Sequence, residues 1–297
     1  IDGAGGDDII TIAAAGKGDT DVMDGGADAD VLQLSTGKHT FADNDKLKNI
    51  ETIKTASGGS EVILSAQQEA LTITGDAGVD KITGGEGVDT IDGAGGDDII
   101  TIAAAGKGNT DVMDGGADAD VLQLSTGAHA FADDAKLKNI ETIKTASGGS
   151  EVDLSAQTEA LTITGGAGVD KVTGGEGVDT INGAGGDDII TIAAAGKGNT
   201  DVMDGGADAD VLQLSTGAHA FADNDKLKNI ETIKTASGGS EVDLSAQTEA
   251  LTITGDGGVD KITGGEGVDT IDAAAGADII TICLLYTSPS PRDTIRS

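Results

Sequence analysis

Aspartate stands at the sixth position, and an aliphatic residue at the eighth, of consecutive nine-residue units. GDAGVDKIT (75–83), GGEGVDTID (84–92) and GAGGDDIIT (93–101) run in tandem. After the insert IAAA (102–105) the same phase resumes in GKGNTDVMD (106–114) and GGADADVLQ (115–123). Position six is then Asp80, Asp89, Asp98, Asp111 and Asp120, and position eight is Ile82, Ile91, Ile100, Met113 and Leu122. Such a unit divides into a six-residue turn, where glycine permits φ > 0 and close backbone approach, and a three-residue strand. The position-eight residue points to one face and its neighbours to the other. Two units close a flattened coil, successive coils pair as parallel strands, and each turn lies over the turn two units on. The expected fold is all-β, a parallel β-solenoid built from nonapeptide coils.

A longer period of 90 residues carries the units: Ile1, Ile91, Ile181 and Ile271 are equivalent. Fixed-period similarity means stacked blocks, each burying its apolar face on its neighbours. The blocks are 1–90, 91–180, 181–270 and the degenerate start of a fourth, 271–282. Within them, 124–164 lacks Gly–Asp turns. There NIETIKT, EVDLS and ALTIT read as further solenoid strands, FADDAKLKN as a helical or looped excursion, and the coils as held by packing alone. The inventory suits thin layers of small aliphatics: three Phe, no Trp, 48 Gly and 37% apolar residues. His39, His129 and His219, each two residues before a Phe, read as packing residues, and Lys46, Lys48 and Lys54 as a solvated face.

The final stretch, 283–297, breaks with this composition. It holds the sole Cys and Tyr, both prolines and both arginines, and CLLYTSPSPRD resembles a translated sequencing adapter. It is set aside as a disordered tail. Because the chain opens inside a repeat, it reads as a piece of a longer protein.

The net charge of −34 excludes nucleic acid, which needs a basic stripe, and disfavours anionic membrane surfaces. No apolar run reaches the roughly 18–20 residues of a membrane helix, so no membrane insertion is expected. Cations are the natural partners. Stacking aligns Asp80, Asp98 and Asp120 in one row and Asp89 and Asp111 in another. Like charges a few ångströms apart repel by roughly 1 kcal/mol per pair in water, and by more when partly dehydrated. Lysine does not recur at the turn positions of every unit and so does not neutralise the rows. A hard divalent ion does: Ca²⁺ accepts about 6–8 oxygens, mixing carboxylates with backbone carbonyls, whereas Mg²⁺ demands a tighter octahedron. High charge and weak hydrophobicity leave the metal-free chain disordered, so folding is expected to follow ion binding. No nucleophile–base pair or carboxylate pair in contrasting environments stands out, and the chain reads as no enzyme.

GGEGVDTID, nearly unchanged at 174–182 and 264–272, and GGAGVDKVT (165–173) resemble the G-G-x-G-x-D-x-U-x nonapeptide of the hemolysin-type, or repeats-in-toxin (RTX), calcium-binding family. The resemblance covers about half of each block. It implies a parallel β-roll with several Ca²⁺ ions between turns on the same side, held by the position-six Asp and turn carbonyls. Carried over by residue, the ligands are Asp80, Asp89, Asp98, Asp170, Asp179, Asp188, Asp260 and Asp269. Asp8 belongs to a half-built site, and Asp111 and Asp201, like Asp21, follow the insert that shifts their register. Asp30, Asp120 and Asp210 lie in units where a second Asp (Asp28, Asp118, Asp208) replaces the fourth-position Gly. Asp278, in AAAGADIIT, has lost most of its glycines and is not expected to complete a site. The blocks also resemble repeats of bacterial adhesins and surface-layer proteins. That implies a secreted or cell-surface structural module, exported through a type I system, with its cell-surface or matrix partner unidentified. The alternative is the secretion and folding module of an exported toxin or hydrolase.

Overall fold

The computed structural model describes residues 1–16, 20–107, 110–196 and 200–282. The tail set aside at 283–297 lies outside the described residues. Among them there is no α-helix, and every strand pairing is parallel. The chain is a parallel β-solenoid.

The nine-residue phase dictates the ladder. Lys81–Thr83 pairs with Ile99–Thr101, eighteen residues on, through Lys81↔Ile99, Ile82↔Ile100 and Thr83↔Thr101. Ile99–Thr101 pairs with Val121–Gln123 at twenty-two, the insert adding four residues without breaking register. On the other side of the coil, Thr72–Thr74, Thr90–Asp92 and Val112–Asp114 stack in the same way. Each of these three-residue strands buries only its middle residue. Ile73, Ile82, Ile91, Ile100, Met113 and Leu122 are at most 2% exposed and form one column of core. Burial of an aliphatic side chain contributes roughly 1.5–3 kcal/mol, and this thin core supplies about one such residue per strand.

A block does not close a whole number of coils. From Ile99–Thr101, one sheet climbs through Val121–Gln123, Thr142–Lys144 and Thr162–Thr164 to Thr180–Asn182. The equivalent strand of the next block, Ile189–Thr191, is not its continuation but lies in the facing sheet. Ninety residues thus make four and a half coils, and equivalent strands of consecutive blocks occupy opposite sides.

The half coil arises in the section without Gly–Asp turns. Between Val121–Gln123 and Thr142–Lys144 the coil carries two further strands. Leu137–Lys138 ends one sheet, and Gly127–Ala130 begins another. Gly37–Thr40 with Leu47–Lys48, and Gly217–Ala220 with Leu227–Lys228, make the same exchange in the other blocks. FADDAKLKN is therefore a looped excursion containing a two-residue strand. NIETIKT, EVDLS and ALTIT do supply solenoid strands, as Thr142–Lys144, Ser150–Asp153 and Thr162–Thr164.

The expectation that packing alone holds these coils is corrected. Phe131 and Leu137 are buried, but polar side chains also bridge coil to coil. Gln157, 1% exposed, donates from Nε2 to Phe131 O at 3.1 Å. Asn139 Nδ2 donates to Asp114 Oδ1 at 2.6 Å. His129 is buried too, its Nε2–H donating to Ser125 O at 2.9 Å. A coil that cannot close on glycine turns exposes backbone carbonyls inside the stack, and a buried amide, that of Gln157, satisfies the one at Phe131.

Candidate metal centre

Each turn that links two strands folds its position-six Asp inward. Asp80, Asp89 and Asp98 are at most 1% exposed. At Asp80, Asp89, Asp170 and Asp179 the carboxylate is bound from two directions. One oxygen accepts from the second residue of its own turn: the Gly85 N–H donates to Asp89 Oδ2 at 2.8 Å, and the Gly166 N–H to Asp170 Oδ2 at 2.8 Å. The other oxygen accepts from the coil below, as it does also at Asp98 and Asp120, where the Asp80 N–H donates to Asp98 Oδ1 at 2.7 Å and the Asp98 N–H to Asp120 Oδ1 at 2.8 Å. Carboxylate thus caps amide from turn to turn, and the turns run in two rows.

The first row joins Asp80, Asp98 and Asp120, and recurs as Asp170, Asp188 and Asp210. It recurs in part as Asp8 with Asp30, and as Asp260 with Asp278, whose Oδ1 accepts the Asp260 N–H at 3.0 Å. The second row joins Asp89 to Asp111 and Asp179 to Asp201, while Asp269 bonds, among the described residues, within its turn and to the Leu251 N–H. The row members expected from the sequence therefore do come together. Asp21 accepts from the Thr20 hydroxyl at 3.2 Å.

Neighbouring groups that the periodicity did not single out finish the first row at both ends. Below Asp80, the Ser60 N–H and the Thr55 hydroxyl donate to it at 2.6 and 3.0 Å. Above Asp120, Glu141 Oε2 accepts the Asp120 N–H at 2.7 Å. The fourth-position Asp118 keeps the turn that glycine would make, at φ 83°, and its Oδ2 accepts the Gly96 N–H at 3.3 Å. Asparagine and aspartate tolerate this left-handed region better than other side chains.

The two rows differ in one respect. In the first, Oδ2 of Asp98, Asp120, Asp188, Asp210, Asp8 and Asp30 is buried without a hydrogen-bond donor. In the second, no such atom occurs among the described residues. An anionic oxygen stranded in this way is costly unless a cation or proton meets it. Burial, reinforced by the facing Asp120 and Asp80 carboxylates, pushes the Asp98 carboxyl up to about 7. Asp188 is pushed up to about 7 by burial and by Asp210 and Asp170. Asp80, Asp120 and Asp210 are also raised, chiefly by burial.

Backbone oxygens crowd the same place. A Cβ on Gly93 would collide with both Asp98 Oδ2 and Gly115 O, and one on Gly183 with Asp188 Oδ2 and Gly205 O. Only glycine lets carbonyl and carboxylate converge there. Among the described residues no three His, Cys, Asp or Glu side chains gather at one point. Any ion would thus be held by carboxylates in concert with carbonyls, an all-oxygen set that suits a hard cation of flexible coordination. The residues present fit Ca²⁺.

Comparison with known proteins agrees with this geometry. The family model for the RTX calcium-binding nonapeptide repeat (4 copies) matches residues 15–37, 72–100, 105–128, 162–190, 195–218 and 252–280, just over half of the chain. No curated protein and no solved structure matches.

Proposed function

The chain belongs to the RTX calcium-binding nonapeptide repeat family, and we propose that it is a calcium-folded structural module of a secreted or cell-surface bacterial protein. The observation that carries this reading is the row of buried aspartates whose second oxygen has no donor. Calcium between successive turns of that row would engage Asp80, Asp98 and Asp120, and in the next block Asp170, Asp188 and Asp210, together with turn carbonyls. Bound there, the ion neutralises like charges that otherwise push the turns apart. Its binding free energy is then folding free energy.

A role in reach and stiffness, as in an adhesin or surface-layer protein, is supported by the near-identity of the blocks and by a solenoid that extends by stacking. Export before folding, through a type I system, suits a chain whose charge keeps it open until it meets external calcium. We assign the module no catalytic step. Circular dichroism tests the reading: calcium raised to about 1 mM, where extracellular modules bind, converts a coil-like spectrum to a β spectrum. A spectrum indifferent to calcium refutes it.

A further inference from the structure

We propose that Lys107 is a tethered cation that permanently closes one gap of the second aspartate row, so that this gap takes no calcium. The inference rests on the reading of the rows as cation sites, and divides the two rows between them.

Lys107 is the second residue of the turn that carries Asp111, directly above the turn that carries Asp89. Its Nζ reaches down and donates to the carbonyl oxygens of Glu86 and of Gly87, the latter at 2.6 Å. Those two carbonyls belong to the Asp89 turn, where a bound cation would seek backbone oxygen. An ammonium carries three donors and no acceptor, and so fills a nest of oxygens much as a metal does. The carboxylates around it accept from donors of the chain itself. Asp89 Oδ2 accepts from Gly85, and Asp111 Oδ1 accepts from the Asp89 N–H at 3.1 Å and the Thr110 hydroxyl at 3.2 Å.

The next gap of that row is closed by the same chemistry. Lys136 Nζ donates to Thr110 O at 3.1 Å, and Lys226 Nζ to Thr200 O at 3.2 Å in the following block. Lysine ammonium groups bracket the Asp111 turn from both sides, whereas none bonds to the Asp98 or Asp120 turn among the described residues. The stranded oxygens follow the same division: they fall in the row without lysine. Lys17 and Lys197 hold the repeat position of Lys107 and lie outside the described residues. Within a block one row thus carries its own cations, and the other draws them from solution.

The test compares calcium stoichiometry, by equilibrium dialysis, in the full chain and its Lys107→Met variant. The variant is expected to bind one additional ion per chain, because an emptied oxygen nest between two Asp turns remains. An equal count in both overturns the inference and leaves the calcium reading intact. A native chain that binds no calcium overturns the calcium reading instead. Acetylation of lysines in the native folded chain, read by mass spectrometry, decides the matter should the variant not fold. Lys107 is expected to react more slowly than exposed Lys81 by roughly tenfold or more, the protection that charge-assisted hydrogen bonds supply. Equal reactivity at saturating calcium overturns the inference.

Discussion

Asp98 and Gln157 hold comparable places in their coils. Both are 1% exposed, and both meet the backbone of a neighbouring coil. Gln157 donates to Phe131 O and completes its coil with neutral groups. Asp98 accepts from the Asp80 N–H and leaves Oδ2 without a donor. The coils of 124–161 are therefore finished by the chain's own atoms, whereas the first row within 75–123 leaves carboxylate oxygens without a donor. Glycine explains the choice. Where turns are short and glycine-rich, adjacent backbones approach too closely for an amide side chain, as at Gly87, whose Cβ would collide with Glu69 O.

Removing calcium should separate the two regions most sharply. A site held at about 100 times its Kd contributes ~2.7 kcal/mol, and two gaps of the first row fall in each block. Hydrogen exchange followed by mass spectrometry should show protection lost around Asp80–Asp120 well before it is lost around Phe131–Gln157. Equal loss in both would erase the distinction. Phe131→Ala attacks the other region. It is expected to cost about 3–5 kcal/mol in urea unfolding, as truncation of a buried aromatic does, and added calcium should not restore it. A loss below ~1 kcal/mol would mean that the amides, not the ring, hold that coil.

Acid provides a milder probe of the aspartate rows. The Asp98 and Asp188 carboxyls stand near 7 in the fold against an ordinary value of 3.8. Their protonation therefore stabilises the metal-free roll fully below the ordinary value, and this stabilisation is lost as pH rises through about 7. In chelator, the melting temperature should rise from about pH 8 to about pH 5, and calcium affinity should fall over the same range, since the ligand must lose its proton. Opposite trends would show that Asp98 is not the group concerned. The smallest effect belongs to the exposed Lys38–Glu61 pair, at 2.7 Å. Lys38→Ala should change stability by ~0.2–1 kcal/mol at most, because Ala128 and Ala218 already replace it in the other blocks.

The nonapeptide phase makes the roll legible in the sequence alone. Once Asp80, Asp98 and Asp120 are eighteen or twenty-two residues apart, parallel stacking leaves them only one way to align. The neutral coils were not legible, because the partners of Gln157 and Asn139 lie about a coil away with no periodic signal to couple them. Lys107 escaped for a related reason. A lysine that recurs once per block, and not once per nine-residue unit, gives no signal at the period that reveals the rows. Its recurrence at positions 17, 107 and 197 is the sign that could have revealed it.

The half coil in each block carries a consequence for how such a chain changes over generations. Near-identical blocks invite unequal exchange, which adds or deletes ninety residues at a time. Because ninety residues make four and a half coils, each event sends whatever follows to the far side of the roll. Two events bring it back. Length and facing are thereby tied by parity, so that an even change lengthens the spacer while an odd one also turns its far end about.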